Sequence, residues 1–166
     1  MNLLESKKLW GEYTLTHIRN TNRKNLLVQR NQKIVFANLV TDVGKLYMLG
    51  STFSGVIQIT DWYLGLITTS SPVFNTFDTA ESHLGWVELN QQRQPWVPST
   101  STGSLVAPIN STFFNITANG YVSGAFLIDD PTLLGTTGLL FSEGSIGFPI
   151  IVQPGDIINL GYRTGL

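Results

Sequence analysis

Ser111-Thr112-Phe113-Phe114-Asn115-Ile116-Thr117-Ala118, then Asn119-Gly120, then Tyr121-Val122-Ser123-Gly124-Ala125-Phe126-Leu127-Ile128 is the stretch that speaks most directly about fold. β-Branched and aromatic residues dominate both flanks and favour a pleated, half-buried backbone. Asn-Gly suits the two left-handed positions of a type I′ turn, so the spacing predicts a two-residue hairpin. In that register Ala118 lies opposite Tyr121 and Phe114 opposite Ala125, with Ile116 on the same face. Phe113, Val122 and Phe126 occupy the other face. A sheet wetted on one side alternates apolar with polar residues. Here both faces carry large apolar groups, so the hairpin is expected to be covered twice, by the second sheet of a sandwich and by a neighbouring subunit.

Outward from this hairpin the same signals recur. Gly11–Arg19 alternates and reads as a strand, Asn20–Asn25 as a polar turn, and Leu26–Phe36 as the return strand of a long basic hairpin. Thr41-Asp42 supplies a cap and an acidic first turn, and Gly50 a stop, which predicts a short helix over Thr41–Gly50. Val56–Ile59 and Trp62–Thr68 are strand candidates. Asp78-Thr79-Ala80-Glu81 has capping-box spacing and predicts one helical turn over residues 79–84, ended by Gly85. Gln91–Gly103 reads as a long polar loop containing Trp96, Leu139–Ser142 and Pro149–Val152 as short strands. Pro154-Gly155 fits the centre of a type II turn before a last strand, Ile157–Arg163. This succession predicts an all-β chain, a β-sandwich or jelly roll, with an N-terminal basic β-hairpin arm and one or two short helices. The arm and the start of the helix take residues 1–45 and the sandwich residues 46–166.

Composition agrees. Only 13% of the 166 residues are charged, 42% are hydrophobic and there is no cysteine. Thr, Ser and Asn number 18, 13 and 12, a surface chemistry of small polar side chains that suits turns and strands rather than a helical bundle. Without cysteine there is no disulfide framework, thiol nucleophile or cysteine-ligated zinc. Met1–Trp10 lacks the apolar stretch of a secretion signal, and runs such as Phe148–Val152 fall far short of the roughly 18 residues that a membrane span requires.

Charge is distributed unevenly. Residues 1–45 hold eight of the ten basic groups and three of the eleven acids, a balance of +5, which leaves −6 for the rest. Lys7, Lys8, Arg19, Arg23, Lys24, Arg30 and Lys33 are dispersed among apolar residues instead of forming a run. That pattern points to docking on an acidic protein surface, with neither nucleic acid nor membrane as the partner.

The search for chemistry yields little. His17 and His83 are far apart, Gly144-Ser145-Ile146-Gly147 has the wrong spacing for a nucleophile elbow, and no phosphate-binding glycine loop occurs. Asp78, Glu81, His83 and Glu88 are the one local cluster that a metal or acid–base site could use, but capping accounts for its acids. Asp129, Asp130 and Asp156 read as turn acids. No catalytic residue, cofactor or metal is expected. Trp62 and Trp86 read as core anchors, whereas Trp96 reads as a loop plug, an interface residue or a platform for a sugar ring.

Several motifs occur in a telling order: Gly11–Thr16, Asn38–Gly44, Trp62–Leu66, Asp78-Thr79 with His83–Glu88, Arg93–Trp96, Gly120–Leu127, Thr136–Gly138 and Pro154–Asp156. Over nearly the whole chain this series resembles a family of small virion structural proteins of tailed bacteriophages. The resemblance implies a non-enzymatic head decoration (cement) protein, bound to the major capsid protein at the virion surface and made in the bacterial cytoplasm. Such proteins are commonly homotrimers, and Phe113, Val122, Phe126 and Trp96 are then the candidates for the subunit seam. Leu89-Asn90-Gln91-Gln92 departs from the family pattern, which carries a tyrosine there. The alternative is a tail or receptor-binding β-domain that recognises carbohydrate through Trp96.

Overall fold

The computed structural model describes residues 9–19, 32–101, 103 and 105–165. Along the described chain run β1 (Trp10–Ile18), β2 (Gln32–Ala37), β3 (Leu39–Val40), α1 (Asp42–Phe53), β4 (Trp62–Ile67), β5 (Gln94–Trp96), β6 (Leu105–Val106), β7 (Thr112–Asn115), β8 (Gly120–Ile128), β9 (Leu140–Val152) and β10 (Ile157–Gly165). They build two antiparallel sheets. One has the order β2-β1-β10, with β6 and β7 both on the far edge of β10; the other is β3-β9-β8-β4-β5. The described residues form a β-sandwich with one short helix, and the sandwich is what the composition and strand pattern predict.

The alternation read in Gly11–Arg19 is present: Tyr13, Leu15 and His17 point inward from β1, opposite Tyr162, Leu160 and Ile158 of β10. Apart from His17, these residues and Phe36 of β2 pack on Leu64, Leu66, Val122, Ala125, Leu127 and Phe141 of the other sheet in one core. β1 and β2 are therefore part of the sandwich and not an arm beside it. β1 is an inner strand whose removal would strip nine cross-strand pairs from β10. The polar turn over Asn20–Asn25 and the start of the return strand at Leu26 lie outside the described residues.

The predicted hairpin at Asn119-Gly120 is not one. β7 pairs with β10, placing Phe114 opposite Ile158, while β8 pairs with β9 and β4 in the other sheet. Neither Asn119 nor Gly120 has a positive φ, so the type I′ turn does not form. Residues 116–119 instead cross from sheet to sheet. Two strands of suitable composition joined by Asn-Gly do not pair when another edge offers a better-matched apolar face. The turn at Pro154-Gly155 does form, with Gly155 at φ +90° and the Asp156 amide donating to the Gln153 carbonyl at 3.0 Å.

β8 is buried on both faces, and its outer cover belongs to the same chain. Ile67, Ala80, Trp86, Phe126, Ile128 and Leu140 form a second apolar cluster, joined by Tyr63 and Phe74. The segment between β4 and β5 thus folds over the outer face of the sheet and takes the place expected for a neighbouring subunit. Phe126 fits there because its cross-strand neighbour is glycine; a Cβ on Gly65 would collide with its ring. No helical turn forms over residues 79–84. Thr79 and Ser82 exchange backbone hydrogen bonds, and Thr79 Oγ1 accepts from the Ser82 amide, closing a tight loop.

Thr41 caps α1 through Oγ1, which accepts from the Gly44 amide at 3.0 Å. Gly44 seats the helix on β9, since a Cβ there would meet the Phe141 carbonyl oxygen at 2.6 Å. The helix runs past Gly50 to Phe53, and the left-handed residue that turns the chain is Gly55, at φ +67°. Ser54 and Val56 amides both donate to the Gly50 carbonyl. Residues 56–59, expected as a strand, run back along the helix, where the Ile59 amide donates to Tyr47 Oη. The two short strands expected over Leu139–Val152 are one long strand, β9, with an irregularity inside it.

Val122 is fully buried between the sheets. Val122→Asp should abolish cooperative folding, because an unpaired carboxylate in the core costs several kcal/mol out of a total of roughly 5–15. Circular dichroism checks this; a folded variant that only changes its oligomeric state would contradict the placement.

Candidate functional site

Of the seven basic docking candidates, Arg19 and Lys33 lie within the described residues, and Lys7, Lys8, Arg23, Lys24 and Arg30 lie outside them. Arg19 follows the end of β1 and Lys33 stands opposite Thr16, so both sit at the same end of the first sheet. Both are exposed. The Arg19 guanidinium donates to the Ile151 carbonyl at 3.3 Å, which directs it across to the neighbouring sheet's β9. Neither makes an ion pair among the described residues. The same end carries the Pro154-Gly155 turn, because Ile18 pairs with Ile157. It is a surface with two exposed cations, of which Arg19 reaches apolar Ile151.

The four residues expected at a subunit seam do not share a surface. Val122 and Trp96 lie in the core between the sheets and Phe126 in the outer cluster. All three are buried within a single chain, which corrects their assignment to an interface. Phe113 alone is on the surface, 53% exposed on the outer face of β7. Parity explains the misplacement: β8 and β9 shift register between Val122 and Gly124, and this irregularity sends Val122 and Phe126 to opposite faces. The Trp96 indole N–H donates to the Tyr162 carbonyl at 3.1 Å and its ring meets the Tyr162 ring edge-on. It has no free face for a sugar.

The acid cluster also disperses. Glu88 is buried against Arg93 in a two-pronged pair, Nε to Oε1 at 2.8 Å and Nη2 to Oε2 at 2.9 Å. Arg93 donates further to the Asp130 and Gly135 carbonyls, and Glu88 accepts from the Leu134 amide. The pair pins the 129–135 loop to the sheet; all its strong donors and acceptors are spent on that task. His83 stacks on Trp86 with ring centroids 3.8 Å apart, and Glu81 is exposed. Among the described residues no three of His, Asp and Glu are gathered as a metal would require. No described helix is long and apolar enough to cross a membrane.

Two buried acids escape the sequence reading. Asp156, expected as a turn acid, is inside the protein with Oδ2 2.9 Å from His17 Nε2. The inward parity of Tyr13, Leu15 and His17 was the signal that His17 would need a partner. Glu143 is fully buried on β9, and its Oε2 accepts from the Trp86 indole at 2.7 Å. Burial pushes its carboxyl up to about 8; the Asp78 carboxylate adds to the rise and the indole N–H opposes it. Glu143 is thus a neutral acid at pH 7 that helps hold the covering segment through Trp86. An open groove of about 570 Å³ runs between Val43, Thr79–Glu81 and Thr136–Leu139, with Glu81 and Asp129 as its ionisable groups.

In comparison with known proteins, no family model matches the chain and no curated protein matches it.

Glu143 provides a pH test. A carboxyl whose folded value is raised stabilises the fold below its unfolded value, about 4.5, and that contribution is lost as pH rises towards about 8. Stability of wild type relative to Glu143→Gln should therefore fall by a few kcal/mol between about pH 5 and about pH 9. Urea unfolding of both proteins across this range checks it; a constant difference would contradict the assignment.

Proposed function

We propose that this chain is a non-enzymatic structural protein of a tailed-bacteriophage virion, a head decoration protein that binds the major capsid protein shell as a homotrimer. What carries the reading is the ordered series of motifs and the posts they occupy in the fold. Gly11–Thr16 lies in β1, Asn38–Gly44 spans β3 and the start of α1, and Trp62–Leu66 lies in β4. Trp86–Glu88 and Arg93 fasten the outer cover, Gly120–Leu127 is most of β8, and Pro154–Asp156 is the turn into β10. Most of these motifs build the frame, and those that line the open groove, through Val43, Thr79 and Thr136–Gly138, bring no ionisable side chain to it, as suits a likeness between structural proteins.

Docking is assigned to the basic end of the first sheet. Exposed cations at Arg19 and Lys33 suit an acidic capsid surface, and charge of this kind speeds encounter and selects the partner more than it adds raw affinity. The exposed apolar neighbour Ile151 offers contact area once the surfaces meet. No observation favours the carbohydrate reading, since Trp96 is buried.

Because β1 and β2 belong to the sandwich, the test is substitution, not deletion. Replacing Lys7, Lys8, Arg19, Arg23, Lys24, Arg30 and Lys33 together by Gln should leave the circular dichroism spectrum intact. Binding to purified phage heads that lack this protein should weaken at least about tenfold, with a shallower salt dependence. Undiminished binding would contradict the docking assignment, and no binding by the wild type would contradict the function.

A further inference from the structure

Helix α1 has one face on the sheet and another that no described residue covers. Leu46, Leu49 and Phe53 recur at positions i, i+3 and i+7, and they are 66%, 58% and 81% exposed. Gly50 lies in the same stripe, and the absence of a side chain lets Val56 settle against it, with Val56 Cγ2 2.8 Å from where a Cβ would be. Val56 and Ile57, the latter 88% exposed, thereby extend the stripe beyond the helix end. The opposite face does the ordinary work of a helix: Gly44 touches β9, and Tyr47 packs edge-on against Trp62. An amphipathic helix on a sandwich should have a polar outer face. This one is apolar on both sides.

We infer that this outer face of α1 is the surface through which copies of the chain join, α1 against α1 around the symmetry axis. Three considerations select a second copy. The five exposed side chains offer on the order of 500–700 Å² of apolar surface, beyond what monomers ordinarily leave wet and close to the roughly 800 Å² that each partner buries in a standard interface. The only charges on the helix, Asp42 and Lys45, neutralise each other in an ion pair of 2.8 Å, so the face has no electrostatic signature for a charged foreign partner. Interfaces between copies of one chain are the more apolar class, whereas those between separately soluble proteins resemble the rest of the surface. An apolar patch set around a symmetry axis meets its own like and is matched in polarity without further design. The inference deepens the oligomeric part of the proposed function and is independent of the virion assignment. It also leaves the basic end of the first sheet for another partner.

The absence of cysteine makes a direct test available. Leu49→Cys and Phe113→Cys each introduce a sole thiol at an exposed apolar position, the second on the outer face of the other sheet. Mild oxidation should give covalent dimers of Leu49→Cys and leave Phe113→Cys as single chains. Light scattering should find wild type at a multiple of 18.3 kDa and the double variant Leu49→Asp/Phe53→Asp at 18.3 kDa with an unchanged circular dichroism spectrum. A monomeric wild type at tens of micromolar, an oligomeric double variant, or equal cross-linking at the two thiols would overturn the inference. Should the double variant fail to fold, the cross-linking pair decides alone. An oligomer joined through α1 that does not bind phage heads would uphold the inference while overturning the proposed function.

Discussion

At one corner of the sandwich the chain changes sheets twice, and the two crossings are tied together around Asp156. The first crossing leaves β7 after Asn115 and enters β8; the second leaves β9 at Val152 and enters β10. The Ile116 amide donates to the Asp156 carbonyl and the Gly155 amide to the Ile116 carbonyl, both at 2.9 Å. The Asp156 carboxylate accepts from the Gln153 amide at 3.1 Å and reaches His17 on β1. Asp156 thus connects the turn to an inner strand through its side chain, and the turn to the other crossing through the backbone. The register of β10 against both β1 and β7 starts from this point, and with it the alignment of Ile158, Leu160 and Tyr162 in the core.

Among the described residues three carboxyl groups are buried, and the structure deals with each differently. Asp156 faces an imidazole, Glu88 faces a guanidinium, and Glu143, burdened by nearby Asp78, gives up its charge. In each case the group links elements distant in sequence: β1 to the last turn, the 129–135 loop to the sheet, the outer cover to β9. A buried ion pair adds little net stability over an apolar filling, but removing one partner is costly. Such groups therefore act chiefly by specifying which elements meet. In a chain so poor in charge, the few charges placed inside have an unusual share in that specification.

What was legible beforehand follows from the range of the interaction concerned. Local signals read correctly: the alternation of β1, the Thr41 cap with its acidic first turn, the Pro154-Gly155 turn. Partner choice did not. Asn119-Gly120 promises a hairpin only if its flanks pair with each other, and β7 finds Ile158 on β10 instead. The covered outer face of β8 was foreseen, but a subunit and the chain's own Trp86 cover a sheet equally well, and only the fold distinguishes them. Face assignment on β8 failed at its break in register with β9, since strict alternation has no way to announce a bulge. Of the candidate site, Arg19 and Lys33 stand where an interface could use them, while the interface residues proposed on β8 and at Trp96 turned out to be core. The apolar outer stripe of α1 was written in Leu46, Leu49 and Phe53, but the same spacing serves a helix buried on that side.

The dependence of the corner on its buried pair is open to a double-mutant cycle with His17→Gln and Asp156→Asn, followed by urea unfolding at pH 7. Each single change is predicted to cost about 2–5 kcal/mol, and the double change at least about 1.5 kcal/mol less than the sum of the two. Single costs under about 1 kcal/mol, adding within about 0.5 kcal/mol, would contradict the claim that this pair holds the two crossings in place.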